Sequence, residues 1–171
     1  LRYPTRNEEE HYFVEDKYEG YFRYTSENNC TQNPSTCTGH IIGPPCTWST
    51  YVDAQTYWNG IALESNGKVG SNNGYLSYQM KEIWRAAAAK EIDIIMWWWE
   101  PSLFAEEFHN TTAEFQPVLL PKATLACRKG RILPEDRCAD NIMTRRGEKD
   151  GACDNEANIL RTAIATSVVD D

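Results

Sequence analysis

Trp97, Trp98 and Trp99 stand in a row, followed by Glu100 and Pro101, at the end of the apolar run Ile92-Asp93-Ile94-Ile95-Met96. An indole face attracts a cation by ~0.5–2 kcal/mol, and tryptophan is the strongest aromatic partner for one. Tryptophans beside a carboxylate also suit sugar binding, and Glu100 follows an apolar strand, where barrel glycosidases place a catalytic carboxylate; Glu64 or Asp53 would then be the second carboxylate. Side chains alternate along a strand, so three adjacent indoles cannot all face one core. At least one points the other way, or the strand ends there. A strand end followed by proline, with large aromatics to spare, is where an α/β protein usually keeps a ligand. For any one indole, plain core packing is the competing reading.

Other chemistry is thinly represented. The six cysteines, Cys30, Cys37, Cys46, Cys127, Cys138 and Cys153, form no CxxC pair, and His11, His40 and His109 are the only histidines, which disfavours a zinc site. An even cysteine count in polar, Gly/Pro/Asn-rich segments points to disulfides and an oxidising compartment, with free buried thiols as the alternative. The cysteines fall into two groups of three, and since three is odd, full pairing needs at least one bridge between the groups. Two glycosylation sequons, Asn29-Cys30-Thr31 and Asn110-Thr111-Thr112, agree with secretion; Asn33-Pro34-Ser35 is excluded by its proline. No GxSxG, HExxH, phosphate-binding loop or dinucleotide fingerprint occurs, and no cofactor is implied.

A net charge of −8 argues against nucleic acid and anionic membrane surfaces, both of which need clustered Lys and Arg. No apolar run approaches the ~20 residues of a membrane span. The 171 residues suffice for one domain with a real core but not for a complete (β/α)8 barrel. Starting at Leu1 without a signal-peptide pattern, the chain reads as a mature, trimmed or partial product.

The elements that must position these residues follow from the hydrophobic spacing. Residues 1–47 form an aromatic, charged and then Cys-rich segment, with short strands at Phe13-Val14 and Tyr21-Phe22-Arg23-Tyr24 and a long loop from 27 to 47. The acidic triplet Glu8-Glu9-Glu10 is a solvated face. Residues 48–125 read as an α/β lobe. Its first part, 48–63, fits either a helix leading into a strand or one longer helix. A Gly/Ser/Asn loop follows, then a helix over 75–90 with Leu76, Met80, Ile83, Trp84, Ala87 and Ala88 at helical spacing and Asn73 or Gly74 at its N-cap. Next come a strand over 92–98, a helix from Pro101 to about 109, and a short strand over 115–120 stopped by Pro121. Helix–strand–helix order predicts a mostly parallel α/β sheet. Residues 126–171 hold the second Cys group, a basic patch at Arg145-Arg146 and a C-terminal helix over 158–169.

The passage Gly70-Ser71-Asn72-Asn73-Gly74, the Ala-rich helix after it, and the apolar strand ending in Trp99-Glu100-Pro101 resemble the second lobe of the glycine-betaine/choline-type solute-binding proteins of ABC importers. The resemblance covers residues 60–125 well and 150–169 loosely, and the order of elements carries most of it. It implies a periplasmic-binding-protein-like lobe that closes on a small quaternary ammonium or zwitterion. By position, Trp99 would be the cage residue, with Trp97 and Glu100 beside it, while Ser71 and the backbone near Asn72 would meet a ligand carboxylate. Trp48 or Trp58 could supply a further wall, although no motif supports either. A complete family member is about twice as long, so this lobe would pack against a first lobe or another chain. The cysteines and sequons depart from the bacterial pattern and imply a secreted eukaryotic glycoprotein. The expectation is therefore a binding module rather than an enzyme. A structural glycoprotein subunit that has lost the site is the alternative.

Overall fold

The computed structural model describes residues 13–14, 17–18, 26, 28–65 and 74–156. The predicted strand over 21–24, the helix over 158–169 and the loop bearing Ser71 and Asn72 lie outside these residues. Among those described, the secondary structure is mixed. A two-residue hairpin pairs β1 (Phe13–Val14) with β2 (Lys17–Tyr18). A parallel pair joins β3 (Gly39–Ile41) to β4 (Leu63–Ser65), and four α-helices accompany them. The chain is thus α/β with parallel pairing, as predicted.

Helix α1 (Val52–Trp58) leads into β4, which settles the choice left open for residues 48–63 in favour of a helix followed by a strand. The turn between them uses Gly60 at φ 67°, a left-handed conformation that glycine adopts without steric penalty. Helix α2 (Ser77–Lys90) is the longest element. Met80, Ile83, Trp84 and Ala87 recur at i, i+3, i+4 and i+7 and are buried, which is why this stretch is a helix and which face it hides. Its N-cap is Leu76 rather than Asn73 or Gly74: the Leu76 N–H donates to Gln79 Oε1 at 2.8 Å. A side chain one turn into the helix thus satisfies an end donor that the loop residues were expected to satisfy. Glu91 ends the helix in the left-handed conformation.

The strand expected over 92–98 is reduced to one parallel bridge, between Met96 and Ile42. Ile42 N–H donates to the Ile95 carbonyl, and Trp97 N–H donates to the Ile42 carbonyl. The ladder stops there because Pro44 and Pro45 follow on the partner and have no N–H to offer. The sheet therefore draws on the chain on both sides of residue 47, with residues 39–42 between β4 and the extended segment through Met96.

The helix expected from Pro101 to about 109 is only a 3-10 turn, Ala105–Phe108, and the Glu100–Pro101 peptide is cis. The segment 115–120, expected as a strand, forms none. Val118 and Leu119 project into solvent, and the prolines at 117 and 121 remove donors that a ladder would need.

Two apolar clusters organise the packing. One gathers Phe13, Ile42, Tyr75, Met80, Ile83, Ala86 and Ala87 under the sheet, with Met96, Trp97 and Trp98 packed on it. The other is built around Trp84 with Phe104 and Phe108, and again takes Met96 and Trp98. Helix α1 carries the Cys-containing C-terminal part, including α3 (Leu125–Lys129) and α4 (Ile142–Arg146). Gln55 Nε2 donates to the Cys153 carbonyl, Asn59 Nδ2 to the Ala152 carbonyl and Trp58 Nε1 to the Arg146 carbonyl. The basic patch is engaged in the same packing: Arg145 Nε lies 2.8 Å from Asp53 Oδ2, and Arg146 covers the Tyr57 ring at 4.0 Å. No described helix is long and apolar enough to cross a membrane.

A polar group is buried within the parallel pair. His40 and Glu64 are opposite one another in register; Asn28 Nδ2 donates to Glu64 Oε2 at 3.1 Å, and Tyr75 Oη lies 3.3 Å from His40 Nε2. Burial lowers the His40 pKa from 6.5 to about 4, against an opposing pull from the Glu64 carboxylate. Between these values the unfolded chain binds a proton that the folded chain refuses. The stability contributed by neutral His40 is complete above about pH 6.5 and is lost as pH falls from 6.5 towards 4. Thermal melts should show the midpoint dropping across this window, and His40→Gln should flatten the drop. An equal drop in the variant would show that another group is responsible.

Candidate functional site

The three segments that end or begin at one edge of the sheet bring the candidate residues together. After Ile42 the chain turns through Gly43-Pro44-Pro45 to Cys46 and Trp48. After Met96 it runs through the three tryptophans to Pro101. The third segment, Gly74-Tyr75, enters α2 beside the first: Tyr75 N–H donates to the Gly43 carbonyl at 2.9 Å, and a Cβ on Gly74 would overlap the Pro44 carbonyl. Glycine is required there by this close approach of two backbones. The carboxyl ends of parallel strands are where open α/β sheets present a crevice.

Trp48, Trp97 and Trp99 form the aromatic surface of this edge. The Trp48 ring lies 6.2 Å from Trp97 and 6.0 Å from Trp99, edge-on to both, and Trp97 lies 5.8 Å from Trp99 at a 43° tilt. Ring centroids at this spacing touch one another, so the three rings form one contiguous aromatic patch, termed the cup below. Trp99 is the most exposed of them, at 36%. Trp98 lies between the cup and the core. It stacks beneath Trp99 at 4.2 Å and 16° and meets the buried Trp84 edge-on at 5.5 Å. Trp97 and Trp98 both pack on the sheet cluster, Trp98 also packs on the Trp84 cluster, and Trp97 lines the cup beside the partly exposed Trp99.

Trp48 had no motif to recommend it, and its place in the cup is the main feature that sequence reasoning left open. Its position two residues past Cys46, after two prolines, was the available signal. Three bonds fix it. The Cys46–Cys138 disulfide anchors the loop, Arg137 Nη1 donates to the Trp48 carbonyl at 2.8 Å, and Trp48 N–H donates to the Pro45 carbonyl. Trp58, the other candidate wall, belongs elsewhere: it packs against Tyr57 and binds the Arg146 carbonyl.

Glu100 is exposed directly after Trp99. The carboxylates considered as its catalytic partners are both engaged, Asp53 by Arg145 and Glu64 by Asn28. Among the described residues no group of three or more His, Cys, Asp or Glu is arranged to hold a metal.

All six cysteines are paired, as Cys30–Cys37, Cys46–Cys138 and Cys127–Cys153. The bridge between the two cysteine groups that the odd count demands is Cys46–Cys138. Three disulfides are typical of proteins of oxidising, extracellular settings. No protein-family model matches the chain, and comparison with curated proteins and with solved structures finds no match either.

Proposed function

We propose that this chain is an extracellular, disulfide-stapled solute-binding module, akin to the second lobe of the glycine-betaine/choline-type binding proteins. It takes a small quaternary ammonium, free or as part of a zwitterion, on the cup of Trp48, Trp97 and Trp99. One observation carries the reading: three indoles from two separate loops converge at the carboxyl edge of a parallel sheet, with Trp99 left partly open to solvent. A core needs no such convergence at its rim. A cation within about 6 Å of a ring centroid is attracted by each face it covers, and a quaternary ammonium loses little hydration in going there. Glu100 adds negative charge next to Trp99, which favours a cation over an anion. A first lobe or second chain closing over the cup would complete the site.

Calorimetric titration with choline and glycine betaine tests this. Trp99→Ala should weaken binding by roughly 2- to 30-fold, the equivalent of the ~0.5–2 kcal/mol of one cation–π contact. Trp48→Ala should behave similarly, and Tyr78→Ala, on the exposed face of α2, should change nothing. Saturable binding that ignores both tryptophan substitutions would remove the cup from the mechanism. No binding to either compound would remove the ligand class.

A further inference from the structure

The two sequons sit in opposite structural settings, and we infer that the chain carries one N-linked glycan, on Asn110, while Asn29 is withheld by the Cys30–Cys37 disulfide. This inference is independent of the ligand reading.

Asn110 stands at the tip of the turn after the 3-10 helix, exposed and at φ 59°, a left-handed conformation that asparagine tolerates better than most residues. Thr111 and Thr112 are exposed with it. The turn is held through its backbone, not through the acceptor side chain. Asn110 N–H donates to Glu114 Oε2 at 2.8 Å, Thr111 N–H donates to the Phe108 carbonyl, and His109 lies 3.0 Å from Glu114 Oε1. The Asn110 carboxamide makes no hydrogen bond with a described residue. A bulky substituent on Nδ2 would project into solvent without breaking a contact. The apolar residues below it, Phe104 and Phe108, are already buried against Trp84.

Asn29 is built into its turn. Its side-chain Oδ1 accepts from Gln32 N–H at 3.1 Å, and its carbonyl accepts from Asn33 N–H at 2.9 Å. The middle residue of its sequon, Cys30, is bonded to Cys37, seven positions on, and the Cys37 N–H is itself held by the Asn33 carbonyl. A glycan-transferring enzyme must draw the acceptor asparagine and the threonine two residues later into its own site. A short covalent ring around Cys30 opposes that extension; the Asn110 turn has no such ring.

Transfer uses a lipid-linked diphosphate sugar. The anomeric carbon bonds to the asparagine Nδ2, its bond to the phosphate oxygen breaks, and the proton lost from the amide leaves with the lipid diphosphate. Closing the Cys30–Cys37 ring oxidises two thiols, passing two electrons and two protons to a disulfide donor.

The test is secretion of the full chain from a glycosylating eukaryotic cell, followed by intact mass with and without amide-cleaving glycosidase and by peptide mapping. One glycan on Asn110, lost in Asn110→Gln and kept in Asn29→Gln, is expected. The Cys30→Ser/Cys37→Ser double variant keeps an Asn-Ser-Thr sequon at Asn29 and should gain a second glycan. An unmodified Asn110, or a substantial glycan on Asn29 in the unaltered chain, would overturn the inference. A double variant that remains singly glycosylated would overturn the role given to the disulfide. All three readouts are made by mass, so they hold whether or not the variants reach full stability.

Discussion

Replacing Trp84 with alanine is expected to destabilise the fold by about 3–5 kcal/mol, the range for removing a buried aromatic from a packed core. The Trp84 side chain joins helix α2 to Trp98, to the 3-10 turn and to the segment 113–115. The indole is 3% exposed and lies parallel to Phe115 at 4.1 Å and to Phe108 at 4.9 Å, with Phe104 and Trp98 edge-on to it. Its Nε1 donates to the Ala113 carbonyl at 2.9 Å. Alanine would leave a ring-sized cavity and an unsatisfied carbonyl, and the surrounding aromatics are too rigid to collapse into the space. Urea unfolding measures the loss. Trp84→Phe should cost less, because it keeps most of the ring contact and gives up only the hydrogen bond. A Trp84→Ala protein within 1 kcal/mol of the parent would mean that the Trp84 cluster is not a core. A second consequence reaches the candidate site, since Trp98 rests on Trp84 and Trp99 rests on Trp98.

Removing the Cys46–Cys138 bridge should have an effect of similar size. The two cysteines are 92 positions apart, and opening a loop of that length returns about 4–5 kcal/mol of chain entropy to the unfolded state in the simplest treatment. Losses measured on removing native bridges run from about 2 to 5 kcal/mol. The Cys46→Ser/Cys138→Ser protein should therefore unfold at much lower urea. Because Cys46 is two residues from Trp48, any choline affinity should fall as well, under conditions where the protein is still folded. Arg137→Ala, which frees the Trp48 carbonyl but keeps the bridge, should lower affinity with a smaller change in stability. An unchanged unfolding midpoint in the double variant would contradict the role assigned to this bridge.

These expectations also mark what the sequence could and could not show. Helix α2 was legible because its signal is local: the apolar residues repeat at the helical period within one short stretch. The weak ladder at Met96 was not, because it depends on prolines 52 and 51 positions earlier, at Pro44 and Pro45. The recruitment of Trp48 was hidden similarly, since it rests on a disulfide and an arginine from near position 138. Arg145 read as part of a basic patch until Asp53, far back in the chain, proved to be its partner. Periodicity reports which face an element buries, and it carries no information on which distant element covers that face.

The contact chain of indoles has an optical consequence. Trp84, Trp98, Trp99, Trp48 and Trp97 touch in sequence, which includes all but one of the six tryptophans. At such separations their transition dipoles couple, so excitation absorbed by the buried Trp84 can migrate to the half-exposed Trp99 before it is emitted. The emission of the whole group is then set by its outermost ring, and a quencher arriving at the rim of the sheet would dim tryptophans it never touches.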